Sequence, residues 1–231
     1  MNLTILYLQN SPLISLVYLV MVILLTFATY MIVRNLHALS GHRGIRFFGL
    51  AFLLFSIAFS IQLIGELLVY FSLDPPYFIT VFLVMLFAYM ITLSSFHLVY
   101  SLVWKQVETG PKNLVRFKIV VLYLIPLLTA VMGVVFFQSS KHFLFIPPIA
   151  VIGYGMFLSY QNYRDASEKT QRFRQLFFIV MALWFLGWVM NYISSLVIQY
   201  YPLFPMYAQA VTLSVFAICL YGVFTVTRKR H

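Results

Sequence analysis

Charge and cysteine are what this sequence has least of. Only 9% of its 231 residues are Asp, Glu, Lys or Arg, where ordinary soluble domains carry about 25%. Hydrophobic residues make up 63%, against about 45–50% in such domains, and no polar shell remains to cover that surplus in water. The composition excludes a soluble globular domain and, at this length, fits a single membrane domain. One cysteine, Cys219, lies inside an apolar run. That excludes an intramolecular disulfide and a cysteine metal cluster. Enzyme signatures are missing as well: there is no HExxH pair, no Gly-x-Ser and no paired membrane aspartates, so no enzymatic activity is expected. Residues 1–11 contain no Lys or Arg, so the first apolar run is expected to be a retained span, not a signal peptide.

What is present is a series of long apolar runs. A helix needs about 20 mainly apolar residues to cross a hydrocarbon core. The stretch Gln175–Thr227 carries no charge and is far too long for one crossing. It must fold back, and Tyr200-Tyr201-Pro202-Leu203-Phe204-Pro205 is the natural place, because proline breaks helices and aromatics favour the interface. The expected fold is all-α, a polytopic bundle of seven transmembrane helices forming one domain over 1–231. The spans are 12–34, 47–71, 77–103, 119–138, 144–163, 175–199 and 206–227. Barrel strands would be about half as long and would alternate, which these runs do not.

Orientation follows from the cations. The net charge of +10 would suggest nucleic acid if taken alone, but its placement argues against that partner. Arg34, Arg43 and Arg46 lie in the first loop, and Lys105, Lys112, Arg116 and Lys118 in the third. Arg164, Lys169, Arg172 and Arg174 lie in the fifth, and Arg228, Lys229 and Arg230 in the tail. Lys141 alone falls on the other side. The positive-inside rule puts the rich side in the cytoplasm, so the N-terminus is expected outside and the C-terminus inside a plasma membrane. Tyr70, Tyr77, Tyr200, Tyr201 and Tyr207 near the outer boundary and Trp104 near the inner one form the usual aromatic belt.

Two stretches suggest internal duplication. Arg34-Asn35-Leu36-His37-Ala38-Leu39-Ser40 resembles Gln161-Asn162-Tyr163-Arg164-Asp165-Ala166-Ser167, and Gln62 and Pro76 match Asn191 and Pro205 at a constant offset. Spans 1–3 would then repeat as spans 5–7 in a parallel 3+1+3 arrangement, of a kind found among transporters. Gly133, Gly153, Gly155, Gly187 and Gly222 are candidates for close helix approach. Pro126 is expected to kink the fourth span, and Pro147-Pro148 to sit in the first turn of the fifth.

Polar side chains at membrane depth are costly, so each is a functional candidate. Gln62 lies about 24 Å and Glu66 about 30 Å along the helix from Arg46, and their i, i+4 spacing shares one face. Asn191 lies about 25 Å beyond Arg174. With Ser194, Ser195 and Gln209, these residues either line a pocket open to the outside or hydrogen-bond between helices. Glu66 is the only one of the five acidic residues near a span. His97 lies about 12 Å above the cytoplasmic edge, as a helix-interface histidine or a proton-relay or pH site. Bis-histidine haem needs two membrane histidines and the chain offers one, so no metal or other cofactor is expected.

Seven spans with short loops resemble the scaffold of microbial rhodopsins. That family needs a lysine in the last helix for a retinal Schiff base, and Tyr207–Thr227 contains none, which excludes retinal. The basic entry into a Leu/Phe/Ala-rich helix at Arg46-Phe47-Phe48-Gly49-Leu50-Ala51-Phe52-Leu53-Leu54-Phe55 resembles the seven-helix input domains of membrane histidine kinases. The resemblance implies a sensor or receptor-like protein, here expected to stand alone, with the bilayer, a small ligand from outside and a cytoplasmic or membrane protein as partners. A small-solute carrier and a non-catalytic subunit of a membrane complex are the alternatives. On a Cys219→Ser background, a membrane-impermeant maleimide should label Asn10→Cys in intact cells and His231→Cys only after lysis. Labelling of both from one side would overturn the span count.

Overall fold

The computed structural model describes residues 12–71, 73, 75–108, 120–136, 142–165, 168–197 and 204–228. Every element in them is helical: α1 (Pro12–Ser40), α2 (Arg43–Tyr70), α3 (Tyr77–Glu108), a π-helical turn (Val120–Leu124) running into α4 (Ile125–Phe136), α5 (His142–Arg164), α6 (Glu168–Val197) and α7 (Phe204–Arg228). Five stretches are long and apolar enough to cross a bilayer: Leu13–Ser40, Arg43–Tyr70, Tyr77–Trp104, Phe177–Val197 and Phe204–Thr225. The chain is thus all-α, with the build of a multi-pass membrane protein. Lys112, Arg116, Lys118, Lys141, Lys229 and Arg230, and the break at Tyr200–Leu203, lie outside the described residues.

The helices form a closed ring. Each of α1, α2 and α3 packs on the next, α5 on α6 and α6 on α7, and the circle is completed by α1 against α7 and α3 against α5. The short α4 lies against both α3 and α5. At the centre, Phe52, Phe55 and Phe59 of α2 meet Trp184 of α6 and Phe216 of α7. The Phe55 and Trp184 rings are 4.5 Å apart, and those of Trp184 and Phe216 are 4.9 Å apart. Such tilted and edge-on pairs suit the ring quadrupoles. With lipid outside as apolar as the core, this packing does the work that hydrophobic burial does in water.

Helix direction can be read from the same contacts. Phe48 at the start of α2 meets Phe177 near the start of α6, so these two helices run side by side in one direction. Trp104, late in α3, meets His42 just before α2. The α1–α2 turn, the end of α3 and the α5–α6 turn therefore share one end of the bundle. Arg34, Arg43, Arg46, Lys105, Arg164, Lys169, Arg172, Arg174 and Arg228 all lie at that end. There Arg174 donates to the Asn162 carbonyl at 2.8 Å, and Arg164 pairs with Asp165 at 3.6 Å.

The helices overrun the expected spans, and the reason is local. Basic side chains do not stop a helix, so α1 continues past Arg34 to Ser40 and α2 begins at Arg43. The expected loop is a two-residue turn. Gly41 makes it by adopting φ +63°, a left-handed conformation open to glycine at little cost. Its N–H bonds the His37 carbonyl at 2.8 Å, and the His37 ring donates through Nδ1 to the His42 carbonyl at 3.2 Å.

Proline accounts for two further differences. The fourth span widens into the π turn just before Pro126, since proline lacks an N–H and its ring crowds the carbonyl four residues back. Pro147 and Pro148 lie inside α5, because that helix starts earlier than expected, at His142. They belong to its second turn, not its first.

Gly44 is required by close approach. A Cβ there would lie 2.5 Å from Trp104 Nε1 and 2.7 Å from its Cδ1, inside contact distance of a rigid ring. Gly44→Ala should therefore destabilise the protein by about 1–3 kcal/mol, the usual cost of overpacking. Adding Trp104→Leu should recover part of that loss, both measured by thermal unfolding in detergent.

Candidate functional site

At the end of the bundle opposite the cations, four helices bring polar groups together. Gln62 and Glu66 lie one turn apart near the end of α2, and the Gln62 amide donates to Glu66 Oε1 at 3.2 Å. Ser15, in the first turn of α1, brings its hydroxyl near the Glu66 carboxyl group. One turn along α1, Tyr18 lies within electrostatic reach of Glu66 and near Thr212 of α7. Thr212 donates its hydroxyl to the Ala208 carbonyl at 2.9 Å. Asn191 of α6 completes the set, donating to the Gly187 carbonyl at 2.9 Å and reaching Thr212 Oγ1 at 3.5 Å.

Ser15, Tyr18 and Thr212 lie beside the two predicted groups, and the sequence singles out none of them. The signal for Tyr18 was weak but present: it lies about 9 Å into α1, deeper than an interfacial tyrosine needs. Nothing in the sequence marks Thr212, whose role depends on α1 lying against α7.

The other candidates do not enter this network. Ser195 donates to the Tyr192 carbonyl of its own helix at 2.7 Å. Gln209 is half-buried on α7, one turn before Thr212. His97 belongs to the other half of the bundle. It is 3% exposed, and its Nδ1 donates to the Leu93 carbonyl at 2.9 Å. Its ring meets Phe47 and Tyr123, the latter on the π turn. Ser94 and Ser95 beside it both donate to the Ile91 carbonyl. A groove on the first half of α3, lined by Tyr77, Phe78, Ile79, Val81, Phe82 and Met85, is almost wholly apolar and offers no polar recognition.

Tyr18 and Thr212 lie close on the first and last helices, so their coupling is measurable. A double-mutant cycle of Tyr18→Phe with Thr212→Val should give about 0.6 kcal/mol and no more than about 1.7, the range of interhelical hydrogen bonds in membranes. Refolding or thermal melts in mild detergent would read it. The chain is 26% identical over 218 residues to an uncharacterized protein of Archaeoglobus fulgidus, the alignment covering 90% of this chain and 88% of that protein. No family model and no solved structure matches the chain.

Proposed function

We propose that this chain crosses the plasma membrane seven times, with its N-terminus outside, and acts as a receptor-like sensor of a small ligand arriving from the outer side. The orientation is supported by the gathering of every described Lys and Arg at one end of the bundle, which the positive-inside rule assigns to the cytoplasm. The observation that carries the function is the outer network. It gathers polar groups of α1, α2, α6 and α7, above packed rings of Phe52, Phe55, Phe59, Trp184 and Phe216. A ligand seated among them bears on both sides of the ring. That favours a shift of α5–α7 relative to α1–α3, provided the ligand binds one arrangement better than the other. The basic end would pass the shift to a cytoplasmic partner or to anionic lipid.

A small-solute carrier is the second reading, and one observation favours it. The ring maps onto itself when α1–α3 are exchanged with α5–α7: α1 against α7 becomes α5 against α3. Phe48 touches Phe177 and Phe55 touches Trp184. Both pairs stand at the sequence offset that relates Gln62 to Asn191, as partners across a two-fold axis between parallel helices would. Such a parallel repeat suits a carrier that rocks about its middle.

The two readings separate in proteoliposomes. A sensor binds ligand with an affinity that Glu66→Ala and Asn191→Ala each lower about tenfold or more, without moving solute. A carrier moves solute, and Glu66→Gln reduces the flux. If both alanine variants keep every binding and transport activity of the parent, the outer site is wrong.

A further inference from the structure

The turn between α1 and α2 is short, fixed and basic. Residues 34–46 include three arginines and two histidines and no Asp or Glu. Gly41 closes the turn on the His37 carbonyl at 2.8 Å. The Ser40 hydroxyl accepts from the His42 N–H at 3.3 Å, and the His42 ring stands edge-on to Trp104, centroids 5.0 Å apart. A turn held this way loses little freedom when a partner binds. Arg34 and Arg46 are exposed and form no ion pair with an Asp or Glu among the described residues. The α5–α6 turn differs: Arg174 is engaged with the Asn162 carbonyl, and Arg164 pairs with Asp165.

Depth decides which partner fits. Arg34 lies about 32 Å along α1 from Leu13, close to one hydrocarbon thickness of about 30 Å. It stands about 9 Å short of the helix end at Ser40, and Arg46 about 5 Å inside the start of α2. Both are set back from the tip of the turn, at the level where hydrocarbon gives way to phosphate. Trp104, packed on His42, suits the same layer. The tip itself, Leu39 to His42, carries no Lys or Arg, and Leu39 is 78% exposed. A protein docking from water would meet that uncharged tip before it met either arginine.

We propose that the α1–α2 turn binds anionic phospholipid headgroups of the leaflet it faces, Arg34 and Arg46 each engaging lipid phosphate. Each guanidinium needs only its own headgroup, because the leaflet surrounds the bundle. This names the partner of the basic end, and it rests on the orientation proposed above for which leaflet is met, the cytoplasmic one.

The test uses the full chain in nanodiscs of phosphatidylcholine alone and with increasing phosphatidylglycerol, thermal midpoints being read by tryptophan fluorescence. The wild-type midpoint should climb with phosphatidylglycerol content, as for any ligand of the native state, and fall back in high salt. Arg34→Gln with Arg46→Gln should at least halve the climb, each slope being read against that variant's own midpoint in phosphatidylcholine. Arg164→Gln and Leu39→Ser should leave the climb almost whole. A second readout needs no variant: protein released from mixed-lipid membranes in mild detergent should retain phosphatidylglycerol over phosphatidylcholine in native mass spectra. Equal retention of the two lipids, or equal climbs for wild type and the double arginine variant, would overturn the assignment. So would an equal climb on adding inorganic phosphate to phosphatidylcholine discs, or loss of the climb in Leu39→Ser, which would move the contact to the tip. A lipid response with the two termini labelled on reversed sides sinks the orientation and keeps the surface. No response with the termini on the expected sides sinks the surface alone.

Discussion

Hydrocarbon gives a polar group nothing to bond to, and that single constraint organises this molecule. An unpaired amide or hydroxyl in the bilayer costs several kcal/mol, so each must find its partner within the protein. The backbone does so by staying helical. The hydroxyls do so by bending back on their own helices: Thr26 to Val22, Thr29 to Leu25, Thr92 to Ala88 and Ser159 to Gly155, all at 2.7–2.8 Å. These bonds tie nothing together. They make buried threonines and serines compatible with packing and leave association to shape.

Against that background the polar cluster at the end away from the cations adds one bond between helices, from Asn191 to Thr212, while Gln62–Glu66, Asn191–Gly187 and Thr212–Ala208 stay within single helices. Tyr18 lies near both Glu66 and Thr212. Below it the core is aromatic and tightly packed. The bundle therefore has a polar end and a tightly packed apolar middle.

Much of this was legible in the residues. The five longest apolar runs could be read as membrane-spanning helices, and the structure has helices of that length and apolarity there, with the described Arg and Lys residues at one end of the bundle. The i, i+4 pair of Gln62 and Glu66 could be read as a unit because both belong to one helix. What stayed hidden required knowledge of neighbours. Ser15, Tyr18 and Thr212 matter only because α1 lies between α2 and α7, which no local pattern encodes. Helix ends were misjudged for another reason: apolar run length measures the membrane, whereas a helix ends where the backbone turns, as Gly41 does. His97, a candidate by residue type, donates Nδ1–H to the Leu93 carbonyl one turn back within α3.

The wide turn ahead of Pro126 has a geometric consequence for α4. An ordinary α-helix advances about 100° per residue, from 3.6 residues per turn. A π turn carries an added residue around the axis, so the faces before and after it are out of phase by about that angle. Tyr123 is thereby aimed at His97 while the rest of α4 follows a different azimuth. Should the extra residue migrate along the chain, the tyrosine would swing off the imidazole with no change in helix length.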